Sequence, residues 1–239
     1  MTKRTFAKFY KTVVTSPLDD GYAMLLDGKP VKTPGRATLV LPNAALAEAI
    51  AEEWRLQDAQ IDPMGMPLTR LAYAAIDLLA KHRGQVTDRS LGFGRSDLLC
   101  YRADAPASLI ERQAAAWEPL LKWIAEARGV VLQAGQGVSY IEQPAGAALA
   151  LEKLVAALDD FRLAALDHAT SLTGSLVLGV ALLDGRLNAA QAFAAATVDE
   201  TYQAEKWGKD GEAGARLANI RVELEATERF LNALSARQA

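Results

Sequence analysis

The hydrophobic period of this chain changes once, near Pro42-Asn43, and that change limits its fold more than any other feature. Before it the pattern is that of strands. Phe6, Phe9, Tyr10, Val13 and Val14 mix aromatic and β-branched residues, and the pattern predicts a strand that stops at Ser16-Pro17. Tyr22 to Leu26 then meets Asp27-Gly28, a dipeptide suited to a two-residue hairpin, and the chain resumes at Pro30-Val31. Thr38 to Leu41 is a third candidate strand, closed by Pro42. A sheet this small needs something packed on its apolar face.

After Pro42 the period is helical. Asn43 is placed to cap a helix that carries Leu46, Ile50 and Trp54 on one stripe, with Glu48, Glu52 and Arg55 off it. The adjacent pair Glu52-Glu53 reads as a solvated face, since neighbours on a helix diverge by about 100°. Pro63 and Pro67 bracket the loop Met64-Gly65-Met66. Further helices are predicted over 68–82, 85–94, 107–128, 146–158, 160–172, 175–184, 189–207 and 213–235. The helix over 107–128 sets Ile110, Trp117, Leu120, Leu121 and Ile124 on one side, and the last carries Leu217, Ile220, Leu224, Leu231 and Leu234 as a seam. Leu176 to Leu183 is apolar nearly all round and is expected to be the buried central helix. Val130–Leu132 and Val138–Ile141 suggest a small hairpin, and Gly208–Gly214 a mobile connection. The expected fold class is α+β: a small β-rich N-terminal domain with one helix over 1–60, followed by a larger all-helical C-terminal domain over 61–239.

Several chemistries lack their residues. The single cysteine, Cys100, excludes an intramolecular disulfide and a cysteine-based zinc site, and it reads as a buried, inert thiol. The two histidines, His82 and His168, lie on different predicted helices, so a histidine pair on one helix face is impossible. Gly92-Phe93-Gly94-Arg95-Ser96 lacks the spacing and lysine of a phosphate loop, and no dinucleotide fingerprint follows a predicted strand. A formal net charge of -3 gives no broad footprint for nucleic acid. The longest uncharged stretch, Ala169 to Leu183, is too short for a bilayer. The first ten residues are basic, without the apolar run of a secretory signal. No cofactor, metal, nucleic acid or membrane insertion is expected.

Two segments are unlike plain scaffold. In Ser96-Asp97-Leu98-Leu99-Cys100-Tyr101-Arg102, Asp97 is placed to cap the following turn while Leu98, Leu99 and Tyr101 pack on the core. In the helix opening at Asn188, with Gln191 as its reciprocal cap, Phe193, Glu200 and Trp207 recur every seven residues and so share a face. Glu200 interrupts an aromatic stripe. Either it pairs with an arginine or lysine at the edge of the core, or the stripe is a partner surface with aromatic anchors.

The same segments carry a resemblance. Glu52-Glu53-Trp54, Met66-Pro67-Leu68-Thr69, Asp97 to Arg102, and Glu200 through Lys206-Trp207-Gly208 occur in this order. Together they resemble the assembly chaperone of the ATP synthase alpha subunit, a family of mitochondria and alphaproteobacteria. The resemblance spans almost the whole chain. It implies a small β-rich part and a larger helical part, and a non-enzyme that binds the unassembled alpha subunit and prevents its aggregation until a beta subunit replaces it. It further implies an important acid late in the helical region, carried here by position to Glu200 with Glu205 as the alternative. Phe193 and Trp207 complete the expected partner-binding set. The absence of a presequence reads as a bacterial, cytoplasmic member; eukaryotic relatives would act in the mitochondrial matrix. The free protein is expected to be a monomer. Two rival readings remain: an enzyme with a helical cleft using Asp97, Tyr101, Arg102 or Glu200, and a generic helical adaptor.

Overall fold

The computed structural model describes residues 5–137, 139–208 and 211–236. Val138 of the expected hairpin, the basic Lys3 and Arg4, and Lys209-Asp210 of the expected connection lie outside these residues. Among the described residues the chain is a mixed α and β protein with small sheets. In order it forms β1 (Phe6–Ala7), β2 (Val13–Leu18), β3 (Gly21–Leu26), β4 (Lys29–Pro30), β5 (Val40–Leu41), α1 (Ala44–Arg55), β6 (Gln60–Ile61), α2 (Pro67–Tyr73) and α3 (Leu79–Arg95). There follow β7 (Tyr101–Arg102), α4 (Ala107–Arg128), β8 (Gly135–Gln136), α5 (Ala145–Ala156), α6 (Asp160–Thr173), α7 (Leu176–Leu183), α8 (Ala189–Ala196), α9 (Val198–Trp207) and α10 (Gly211–Ser235).

The chain divides into two compact units. The first comprises Met1–Arg83, Asp160–Ala165 and Ala226–Ala239; the second comprises Gly84–Asp159 and Leu166–Glu225. Each unit is assembled from separated segments of the chain.

In the first unit β3 pairs with β2, β4 and β5. Asp27 and Gly28 have φ of 47° and 78°, the left-handed pair that a tight β3–β4 hairpin requires. Pro17 does not end its strand: β2 continues to Leu18, with Pro17 opposite Tyr22. It is tolerated because β2 lies at the sheet edge, where no neighbour needs its missing N–H. Helix α1 packs on this sheet, burying Leu46, Ile50 and Trp54 with Met24, Leu39 and Leu41. Asn43 caps it, accepting from Leu46 N at 2.8 Å, while its own amide donates to Ala233 O at 3.1 Å and Leu234 O at 2.9 Å. Phe230 of α10 is fully buried and stacks on Phe161 of α6 at 6.3 Å.

Glu53 overturns the expected solvated face. It is buried, and its carboxylate accepts from Leu68 N (2.7 Å), Thr69 N (2.8 Å) and Thr69 Oγ1 (2.7 Å). Helix α2 starts after Met66, which has no side chain able to cap, so Glu53 satisfies its first N–H groups from another helix. Burial raises the carboxyl pKa, against the three hydrogen bonds that lower it. Glu52 remains exposed and pairs with Arg55, which also holds Glu48.

The second unit is built around α7, which is buried from Leu176 to Leu182. Gly179 lets it approach α6: a Cβ there would stand 2.4 Å from Thr170 Oγ1 and 3.0 Å from Leu166 Cδ1. Asp97, with no exposed surface, accepts from Leu99 N at 3.1 Å and from Val177 N at 3.0 Å, joining the segment before β7 to the first turn of α7. Burial pushes its carboxyl pKa up to about 6. The region after residue 61 is not all-helical, and among its described residues the segment 130–141 shows no pairing of Val130–Leu132 with 139–141. Gly135-Gln136 instead pairs in parallel with Tyr101-Arg102, a partner more than thirty residues away that local pattern does not reveal.

Candidate partner-binding surface

The periodicity predicts one helix over 189–207, but the chain breaks at Thr197 (φ -119°, ψ 28°). Thr197 is buried and its hydroxyl donates to Phe193 O at 2.8 Å, closing α8. The expected reciprocal cap of α8 is present: Asn188 accepts from Gln191 N at 2.8 Å, and Gln191 accepts from Asn188 N at 3.0 Å. Because of the break, the seven-residue spacing does not carry one face from Phe193 through Glu200 to Trp207. Phe193 is half-buried, Glu200 half-buried, and Trp207 is 78% exposed.

Each residue of α9 is placed by how the helix docks on α4. Tyr202 faces inward, 5% exposed, its hydroxyl 2.8 Å from Ser108 Oγ. Gln113 donates to Asp199 at 2.7 Å, while in the preceding α8 the Ala195 carbonyl accepts from Trp117 Nε1 at 2.7 Å. On the outer side, Glu200 pairs with Arg216 at 2.8 Å and Glu205 with Arg112 at 2.7 Å. The Arg112 hydrogen bond holds the Glu205 carboxyl below its ordinary pKa, and raises that of Arg112 in turn. Arg112 and Lys206 also approach the Tyr202 ring, at 5.2 and 5.6 Å. The result is a row of exposed ion pairs leading to an uncovered indole at the helix end. Sequence spacing singled out the acids and the aromatics but missed Arg112 and Arg216, which lie 93 and 16 positions from their partners' carboxylates.

Asp97, Tyr101, Arg102 and Glu200 do not converge. The carboxylate of Asp97 is sealed in and used by backbone N–H groups. Tyr101 Oη accepts from Ile141 N at 3.5 Å. Arg102 donates to Leu99 O and stands 5.1 Å from the Trp117 ring, its pKa lowered by burial. Arg102 lines an open groove of about 350 Å³ with Ile110, Glu118 and Leu121, which neither Asp97 nor Glu200 enters. Cys100 is buried, and burial lifts its thiol pKa to about 12, so a thiolate nucleophile is disfavoured. His168 pairs with Glu223 at 3.1 Å. Among the described residues no group of three or more His, Cys, Asp or Glu is placed to hold a metal ion. No helix among them is long and apolar enough to cross a membrane.

Comparison with known proteins places this architecture. A family model described as ATP12 chaperone protein matches residues 7–125. The crystal structure of Atp12 from Paracoccus denitrificans is 42% identical, with 95% of this chain and 98% of that one covered and a TM-score of 0.91. The chain belongs to the ATP12 chaperone family. An aspartate-to-lysine variant of the Paracoccus Atp12 superposes equally well, at 41% identity, 95% and 97% coverage and a TM-score of 0.91. The mitochondrial protein atp12 of Schizosaccharomyces pombe is 26% identical over 216 residues, 85% of this chain and 74% of its own length.

Proposed function

We propose that this ATP12-family chain is an assembly chaperone for ATP synthase that binds the unassembled alpha subunit, prevents its aggregation and yields it to the beta subunit. The observation that carries the reading is Trp207, a large aromatic left 78% exposed beside the ion-paired Glu200 and Glu205. An unassembled subunit exposes apolar area that drives wrong association. An aromatic anchor covers such area, while a rim of charge keeps the contact weaker than that of the true neighbour. Phe193 lies on a separate helix and contributes at most the half-exposed edge of this surface. The chain acts as a binding protein without chemistry of its own, in the bacterial cytoplasm, with the mitochondrial matrix the site of eukaryotic relatives. We further propose that the β-rich start and the helical remainder divide the work, the helical part meeting the client.

Co-expression tests this directly. The chain should keep the alpha subunit soluble when the two are expressed together and leave the beta subunit insoluble. Equal rescue of beta, or of unrelated aggregating proteins, would identify a generic adaptor instead. Glu200→Lys should retain the wild-type circular dichroism and melting curve yet lose capture of alpha; wild-type capture by that variant removes Glu200 from the contact. Glu205→Lys run beside it decides between the two acids.

A further inference from the structure

A second surface lies in the first unit, where a pocket of about 300 Å³ opens beside the sheet. Its floor and walls include Phe9, Tyr10, Trp54, Leu26 and Val31. Phe9 is 71% exposed and meets the Tyr10 ring edge-on at 5.4 Å; Tyr10 in turn lies 5.6 Å from the Trp54 ring. The core function of these rings is already met by Tyr10, whose hydroxyl donates to Trp54 O at 2.6 Å. Phe9 is surplus to that core, an apolar ring held against a pocket by its neighbour.

The rim is basic in a chain whose net charge is -3. Lys29 and Lys32 line the pocket, Lys32 donating to Thr38 Oγ1 at 2.7 Å. Outside the lining, the Lys8 ammonium donates to Gln57 O at 2.6 Å and stands 5.1 Å from the Tyr10 ring, so each keeps its charge and further N–H donors. Asp27 is the acid among the lining residues, and its carboxylate already accepts from Lys11 N, Thr12 N and Thr12 Oγ1. Those bonds hold its pKa below the ordinary range and keep it ionised, so the lining carries one carboxylate against two lysines. Trp54 lines the same pocket, its indole N–H buried beneath the surface and without an acceptor among the described residues.

We propose that this pocket docks an acidic, extended protein segment, seating one apolar side chain against Phe9 and Trp54 with flanking carboxylates toward Lys8, Lys29 and Lys32. Charge complementarity selects an acidic partner, and the aliphatic walls from Leu26 and Val31 suit a side chain better than a stacked base. This site shares no residue with the Trp207 surface, and the proposal stands whether or not that surface binds the alpha subunit.

The probe is a synthetic hexapeptide with one phenylalanine flanked by aspartates and glutamates, titrated into the full-length ¹⁵N-labelled chain. The Trp54 indole N–H resonance should shift saturably, and 0.5 M NaCl should weaken binding. Phe9→Ala and the pair Lys29→Glu with Lys32→Glu should each lower affinity by roughly 10-fold or more while the melting curve stays put. A peptide with glycine in place of phenylalanine should bind as weakly as the variants. The proposal is overturned if the indole resonance stays still up to millimolar peptide, or if the charge-reversed pair binds like wild type. It is equally overturned if inorganic phosphate or phosphatidylserine vesicles produce the same shift and displace the peptide, since the site would then read anions without regard to an apolar anchor.

Discussion

Glu53 and Trp207 show how far a side chain's chemistry depends on where the backbone places it. Glu53 supplies acceptors to two amides and a hydroxyl in a buried site. Glu53→Ala strands those donors and should cost about 2–5 kcal/mol, read as a lowered urea midpoint. Trp207→Ala removes a ring that water already surrounds, so stability should change by less than ~0.5 kcal/mol while capture of alpha falls. Asp97 gives a pH signature. Its carboxyl ionises near 3.9 when unfolded and at about 6 when folded. Below both values the group is neutral in either state. As pH rises from 4 to 6 the unfolded chain ionises first, so stability falls, and it levels off above 6. The loss is on the order of 3 kcal/mol. In Asp97→Asn that slope should vanish from urea titrations across pH 4–7; an equally sloped variant would show that Asp97 does not carry it. Glu53 was hidden in the sequence because Glu52-Glu53 resembles any solvated acidic pair. One signal was there to be read: the helix after Met66-Pro67 has no capping side chain of its own, so its N–H groups had to find an acceptor elsewhere.

Elements whose causes are local were legible, and those decided at a distance were not. The Asp27-Gly28 hairpin, the Asn43 cap and the helix over Ala107–Arg128 follow from residues adjacent in the chain. The parallel pair of β7 and β8 and the break at Thr197 do not. Thr197 is a passable helix residue, and its burial with a hydroxyl bonded back to Phe193 O is a property of the packed state. The consequence for the site was large, because the seven-residue register that joined Phe193 to Trp207 depended on an unbroken helix. Asn43 offers an element-scale prediction. Asn43→Ala loses both its cap on α1 and its two bonds to the carbonyls at the end of α10, for about 2–4 kcal/mol. Asn43→Asp keeps the cap but sets a negative charge against the C-terminal carbonyls of a helix, so its denaturation midpoint should still fall below wild type. A wild-type midpoint for the aspartate variant would mean that the α10 bonds contribute nothing.

At the level of the whole chain, the family and the mixed architecture could be read from ordered motifs and one change of period. The free protein should sediment as one species of 25.6 kDa and form a heavier complex only when the alpha subunit is added. Self-association in the absence of alpha, abolished by Trp207→Ala, would instead assign that ring to a contact between copies. The bonds from Asn43 to Ala233 and Leu234 close a loop of 190 residues. A ribosome adding 5–20 residues each second therefore takes roughly 10–40 s between making the opening helix of the first unit and the helix that completes it. Through that interval the Asn43 amide at the start of α1 waits without its two carbonyl partners. A member of a chaperone family thus spends much of its own synthesis incomplete.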